Sequence, residues 1–490
     1  MSVPPIRVFN TMANDRIALE PITPGKIGIY VCGPTVYSFI HIGNARTFTS
    51  FDTIVRYLRY RGFAVRYVRN YTDVDDKIIN AAKVTGEGAL ELAARFILEF
   101  EADAAALHLL TPDVSPKVSD TIPEIIELVG KLIARGVAYE SNGDVYFEVR
   151  KYPQYAQLSR RNLDDLEATE RAQATLEQKR DGLDFALWKA AKPGEVFWPS
   201  PWGNGRPGWH IECSAMSAKY LGDSFDLHGG GLDLIFPHHE NEKAQSEAAS
   251  GHQLCNCWMH GGFLDLEGAK MSKSLGNVVR LRDALQQVDP EALRYFFLST
   301  HYRQKLEFAD KTLADAEMRL EYFYETLRKV DERVTGKDFG TGALHGDPEK
   351  FLRDFDEVVS DDFNFPGGLG VLSGLFAELN LLCDKPPSKD KPLVGRTLVA
   401  LRGVVSKMSS ALGLFEDAAD AWLLRRRDRQ VLMKGIDRSA VETIISERQK
   451  ARETKAWAES DRLRAQLQGL GVEIMDTPAG TTWKVAASAA

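Results

Sequence analysis

Apolar and polar positions follow two rhythms along the first part of the chain. Ile27, Ile29, Tyr30 and Val31 make a short apolar run ending at Cys32-Gly33-Pro34, the pattern of a buried strand whose carboxyl end turns out of a sheet. Phe48, Phe51, Val55 and Leu58 then recur at helical spacing until Gly62 offers a stop, and Ala64-Val65-Arg66-Tyr67-Val68 reads as a second strand. Strand, helix and strand within about fifty residues is the rhythm of a doubly wound α/β fold, in which ligands collect at the carboxyl ends of the strands. Helical spacing dominates 87–110 and 121–135, and 139–149 reads as a hairpin about Asn142-Gly143. The polar stretch 161–181 carries no clear apolar stripe, and 126–204 as a whole reads as an insertion between two halves of the α/β domain. Amphipathic periodicity returns at 310–335 and 348–412, broken by Pro386-Pro387, and a last unit begins near residue 420. No apolar run approaches the roughly 20 residues of a membrane span, and the first residues lack the basic-then-apolar order of a secretory signal.

The stretch from His228 to Glu242 organises the rest. Its three glycines, the run Leu232, Leu234, Ile235, Phe236, and Pro237 predict a flexible loop, a buried strand end and a helix start. If Pro237 opens a helix, His238 and Glu242 stand four residues apart on one face and can hold a common ion. A solvated His/Glu pair is the plainer alternative. Cysteine changes the balance: Trp209-His210-Ile211-Glu212-Cys213 supplies a thiol beside another histidine, and Cys32 ends the first strand. Imidazole, carboxylate and thiolates together suit zinc better than magnesium or calcium. Cys255 and Cys257 lack a metal-site spacing and read as plain thiols.

Two further stretches suit phosphate. His41-Ile42-Gly43-Asn44 opens the first helix, where free backbone N–H groups and the helix dipole favour an anion. Lys270-Met271-Ser272-Lys273-Ser274 can wrap a polyphosphate, although a solvated lysine loop is the commoner origin of such a string. Near the C-terminus, Arg425-Arg426-Arg427 and the run from Arg448 to Trp457 offer positive charge with an interposed aromatic, suited to a single-stranded base and its phosphates. An exposed helix laced with ion pairs is the alternative.

A chain of 490 residues is long enough for several domains. Its net charge of -8 provides no global footprint for nucleic acid, so any such contact must use local basic patches. Five scattered cysteines argue against a disulfide framework and for a reducing cytoplasm.

The histidine motif at 41–44 and the lysine pentapeptide at 270–274 together resemble class I aminoacyl-tRNA synthetases. Cys-Gly-Pro-Thr-Val-Tyr at 32–37, Asn-Tyr-Thr-Asp-Val-Asp-Asp-Lys at 70–77, Gly-Trp-His-Ile-Glu-Cys-Ser-Ala-Met at 208–216 and the block 228–242 resemble the cysteinyl-tRNA synthetase family, over nearly the whole chain. Asn44 departs from the class pattern, which has histidine there; asparagine can still hydrogen-bond a ribose or phosphate. The resemblance implies a Rossmann-type doubly wound catalytic domain (21–125 and 205–262) with the insertion 126–204 between its halves. A stem-contact region at 263–330, a helical bundle at 331–415 and a small anticodon-binding domain at 420–490 would follow. It implies one zinc ion per chain on Cys32, Cys213, His238 and Glu242, binding the substrate cysteine through its thiolate. Thr72, Trp209 and His228 would line the cysteine pocket. ATP with Mg²⁺ would meet His41, Asn44, Asp233 and Lys273, with Lys270 and Lys273 neutralising pyrophosphate. Arg452, Trp457, Asp461 and Asp476 would read the anticodon of a cysteine tRNA, and the chain would act as a cytoplasmic monomer without membrane partners. Two rivals share parts of this pattern: a cysteine ligase of mycothiol synthesis, which generally lacks the C-terminal module, and a non-catalytic tRNA-binding paralogue, which would not need His41, Lys270 and Lys273. A metalloprotease is excluded because His238-His239-Glu240-Asn241-Glu242 lacks a second histidine at the zincin spacing.

Overall fold

The computed structural model describes residues 4–163, 179–266, 269–270, 279–477 and 480–486. The centre is a parallel sheet of strands β1 (Lys26–Val31), β2 (Ala64–Arg69), β3 (Phe225–Gly231) and β4 (Cys255–Gly261), in the spatial order β4-β3-β1-β2. Helix α1 (Ile42–Tyr60) joins β1 to β2, helix α2 (Trp209–Leu221) precedes β3, and helix α3 (Glu240–Ser250) joins β3 to β4. The apolar run Ile27, Ile29, Tyr30 and Val31 is almost wholly buried, as a central parallel strand covered on both faces requires. From β1 the chain crosses outward to β2 on one side, while β3 and β4 lie on the other. The order therefore reverses between β1 and β3, and a crevice opens beyond their carboxyl ends.

The organising stretch folds differently from its local pattern. The glycines are the end of strand β3 and not a loop: a Cβ on Gly229 would lie 2.2 Å from the Phe51 ring, and one on Gly230 would lie 2.8 Å from the His239 ring. Glycine is there to let α1 and α3 approach the strand. The run from Leu232 to Phe236 is no buried strand end; it forms short helical turns with Leu232 40% exposed. Phe236 is extended, its bond to Pro237 is cis, and the regular helix starts at Glu240. His239 and Glu240 nevertheless hold helical angles, so His238 and Glu242 still meet on one face.

The segment expected as an insertion carries the antiparallel strands Ala138–Ser141, Asp144–Phe147 and Phe185–Ala190, and their sheet runs past its expected end at 204 to a fourth strand, Gly205–Pro207. Asn142 and Gly143 both take positive φ (55° and 86°), the two-residue turn the sequence predicts. Most of the polar stretch 161–181 lies outside the described residues. Among the described residues one helix, Phe365–Asp384, is long and apolar enough to cross a membrane, contrary to the expectation that no stretch would be. It packs between the helices Glu349–Val359 and Lys391–Leu412 and buries Phe365, Leu369, Leu372, Phe376 and Leu379 there, so its apolarity is that of a bundle core.

Two compact units emerge. One comprises 1–320 with 336–414, the other 321–335 with 415–490. The second has its own core of Val441, Ile444, Leu463, Leu467 and Trp483, between the helices Ala419–Lys434, Arg438–Glu453 and Trp457–Gly469 and the hairpin Val472–Thr477/Gly480–Val485. The arginine triplet expected to attract phosphate is engaged within this unit. Arg425 pairs with Asp417 at 2.7 Å, buried Arg426 with Glu321 at 2.9 Å, and Arg427 with Asp428 at 3.1 Å while lying over Trp483.

Candidate active site and metal cluster

Four donors from separate elements converge at the crevice. Cys32 leaves the end of β1, held by its N–H donating to Gly229 O at 3.0 Å. Cys213 lies on the second turn of α2, His238 in the turn before α3, and Glu242 on its first turn. The sulfurs of Cys32 and Cys213 are 3.8 Å apart, Cys32 Sγ is 3.4 Å from Glu242 Oε1, and His238 Nε2 is 2.8 Å from that oxygen. All four residues are buried and both thiols are free.

The electrostatics favour a cation. Burial opposes ionisation of Glu242, yet the imidazoles of His238 and His228 overcome it and hold the carboxyl well below its usual range. Burial also opposes charge on His238, but Glu242 and the Cys213 sulfur raise its pKa to about 10. A hydrogen bond from Cys32 draws the Cys213 thiol down to about 6, while burial pushes Cys32 up. The donor set fits zinc by its chemistry and by its spacing: with Zn–S bonds of about 2.3 Å a tetrahedron has an S–S edge of about 3.8 Å, the separation seen here. A second grouping, Cys32, His228, His239 and Glu242, shares two of these residues. His228 and His239 are sealed from the cavity, whereas Cys32, Cys213 and His238 line it, so only the first grouping faces a ligand.

That cavity, about 450 Å³, is lined by Cys32, Cys213 and His238 together with His41, Gly43, Asn44, Thr72, Trp209 and Asp233. Trp209 stacks on the His238 ring at 4.4 Å, and the Lys77 ammonium lies 5.7 Å from the Trp209 ring centre. His228, expected beside Trp209 in the pocket, is instead beneath the cluster. It is centred in β3 between Tyr30 and Trp258, with Nε2 2.9 Å from Glu242 Oε2. Its strand position turns it into the sheet's interior, where it orients the carboxylate.

His41 caps α1: its Nδ1 accepts from Asn44 N at 3.2 Å, and Asn44 Oδ1 accepts from His41 N at 3.4 Å. Asn44 therefore closes a reciprocal cap at the mouth of the cavity. Lys270 ends a short strand pairing with Leu264–Leu266, and Lys273 lies outside the described residues.

Further histidines pack against the cluster, and the sequence reading gave none of them a role. His210 Nδ1 meets His238 Nδ1 at 3.0 Å, and His239 Nδ1 meets His260 Nε2 at 2.8 Å, whose other nitrogen is 2.7 Å from Thr11 Oγ1. Ligating histidines commonly use their second nitrogen this way. Only His210 had a local signal, its place three residues before Cys213.

In the C-terminal unit Arg452 and Asp476 are brought together and bond one another, with Arg448, from the same basic run, donating to both Asp476 oxygens at 2.9 Å. Asp461 is exposed on the next helix, and Trp457, at its start, is 59% exposed.

Residues 18–318 match the family described as the tRNA synthetases class I (C) catalytic domain, and residues 438–483 match the cysteinyl-tRNA ligase anticodon binding domain. The chain is 49% identical over 98% of its length to a cysteine–tRNA ligase of Anaeromyxobacter sp. (strain Fw109-5), covering 100% of that protein. It is 47% identical over 98% of its length to one of Syntrophotalea carbinolica, covering 99% of that protein. Among solved structures it resembles methionyl-tRNA synthetase of Mycobacterium tuberculosis in complex with methionyl-adenylate, with a TM-score of 0.60 and 18% identity over 79% of this chain and 92% of that one, a likeness of fold.

Proposed function

This chain belongs to the cysteinyl branch of the class I tRNA synthetases, and from that premise we propose that it activates L-cysteine with ATP and transfers it to the 3′ end of a cysteine tRNA. The observation that carries the reading is one cavity lined both by the cysteine and histidine members of the four-donor cluster and by the capped N-terminus of α1.

Cys32, Cys213, His238 and Glu242 would hold one zinc ion. Bound there, zinc would take the substrate's sulfur as a soft thiolate ligand, which separates cysteine from serine better than the ~1–3 kcal/mol available from a small difference in an apolar pocket. Trp209, stacked on His238, would wall the cysteine side chain, and Thr72, which lines the same cavity, would meet the amino-acid backbone. ATP, carried with Mg²⁺, would cross the carboxyl ends of the strands toward the α1 N-terminus, with Asp233 on the ribose and His41 and Asn44 beside the phosphates. The cysteine carboxylate then attacks the α-phosphate in line; no protein nucleophile is needed, and Lys270 and Lys273 would neutralise the departing pyrophosphate. In the second step the terminal ribose hydroxyl of the tRNA attacks the cysteinyl adenylate and releases AMP. The C-terminal unit favours tRNA over an amino sugar as the acceptor, with Arg452, Trp457, Asp461 and Asp476 on the anticodon side.

The test is cysteine-dependent ATP–pyrophosphate exchange beside tRNA charging, with metal content measured on the same preparation. About one zinc per chain and both activities are expected, with Cys213→Ser raising the KM for cysteine far more than that for ATP. Zinc-free protein of full activity, or equal losses for both substrates, would refute the assignment.

A further inference from the structure

One buried cation in the catalytic unit is placed for the cavity and not simply for the core. Arg46 lies on α1 two residues beyond Asn44, is 1% exposed, and directs both terminal nitrogens of its guanidinium at backbone carbonyls. Nη1 donates to Gly262 O at 3.0 Å and Phe263 O at 2.5 Å; Nη2 donates to His301 O at 3.2 Å and Gln304 O at 2.6 Å. Burial lowers its pKa to about 10, so it remains charged at neutral pH. Gly262 and Phe263 line the same cavity as Gly43 and Asn44. The two carbonyl-bearing segments also abut directly: Gly262 N donates to Tyr302 O at 2.7 Å, and a Cβ on Gly262 would lie 2.4 Å from Gln304 O.

A planar fork with five donors can span two segments at once, whereas an ammonium has three donors at a single point. Removing the cation would take away the donor that the four carbonyls share, although His301 O would keep Gln304 N at 2.9 Å and Phe263 O would keep Leu306 N at 3.1 Å. The segment 262–263 would stay joined to 302–306 but lose its side-chain tie to the helix that His41 caps. None of these four acceptors belongs to the cysteine end of the cavity, where Cys32, Thr72, Trp209, Cys213 and His238 sit.

Building on the ligase reading, we propose that Arg46 is a positioning residue for the nucleotide half of the cavity, fixing the wall at Gly262–Phe263 at the distance from α1 that ATP requires. Its loss falls on ATP and spares cysteine. The experiment is cysteine-dependent pyrophosphate exchange on the full chain for Arg46→Lys and for Gly262→Ala, which disturbs the same wall without touching the guanidinium. Circular dichroism and zinc content are read alongside. Both variants should keep their fold and zinc and lose about 10- to 100-fold in kcat/KM for ATP, the cost of a small misplacement at a reacting centre, while the KM for cysteine stays within about twofold. Equal losses for cysteine and ATP, normal kinetics in both variants, or loss of fold in both would overturn the proposal. Wild-type protein without cysteine-dependent exchange would instead refute the ligase reading itself.

Discussion

His228 is the residue whose role changes most between chain and fold. The family resemblance implies that His228 lines the cysteine pocket, but its register in β3 buries it completely and sets Nε2 2.9 Å from Glu242. Outer partners of metal ligands commonly carry 10- to 100-fold in metal affinity. His228→Ala should therefore weaken zinc retention by about that factor, seen as faster loss to a chelator, and raise the KM for cysteine with little change for ATP. Unchanged zinc retention would mean that Glu242 needs no help in facing the cluster. Asn44 shows the same principle in reverse. Its side chain is occupied in a reciprocal cap with His41, so the departure from histidine preserves the helix start that the cavity needs.

At the scale of elements, β3 is held by what glycine leaves out. Gly229→Ala would drive a methyl group into Phe51 on α1, an overpacking that typically costs about 1–3 kcal/mol. Urea unfolding should show that loss, with part of it recovered when Phe51→Leu is added to make room. In the second unit, Asp476 ties the final hairpin to the helix Arg438–Glu453. The hydrogen bonds from Arg448 hold its carboxyl well below the usual range. A carboxyl depressed in the fold stabilises it above its unfolded pKa of about 3.9, and that contribution disappears as pH falls through the lower folded value. Asp476→Asn should thus loosen residues 472–477 at pH 7, read by hydrogen exchange against wild type at the same pH, by no more than about 1 kcal/mol for such a part-exposed pair. The two proteins should converge in strong acid; a difference that persisted there would point to a role other than charge.

For the whole molecule, activation and RNA reading should separate along the chain. The parallel sheet, the metal cluster and the cavity all lie in the first unit, and the second unit has its own core. Truncation after Leu414 should spare cysteine-dependent pyrophosphate exchange and greatly impair tRNA charging. It also strips Trp422 from Tyr324, with which it stacks at 4.5 Å, so the end of the helix Asp310–Val334 should fray. The point change Trp457→Ala, at an indole 59% exposed, should cost about 1–3 kcal/mol in kcat/KM for tRNA, the range for one lost base stack, and leave exchange intact. If the truncated chain charges tRNA normally, the second unit is not the anticodon reader.

What the sequence determined by itself is what depends on neighbours a few residues away. The alternation of β1, α1 and β2 follows from apolar spacing, the hairpin at Asn142-Gly143 from two residues that accept positive φ, and the shared face of His238 and Glu242 from their separation of four. The motifs added the family, because they recur in order along the chain. Tertiary structure alone decided the rest. The meeting of Cys32 with Cys213 spans 181 residues, that of Arg46 with Gln304 spans 258, and Arg426 and Asp476 find their partners Glu321 and Arg448 on other elements. The glycines of β3 look like a flexible loop until Phe51 and His239 pack against them. Local spacing sets which way a side chain leaves its own strand or helix, but burial and hydrogen bonding depend on what the fold brings opposite it, and that is set by the packing of the whole core.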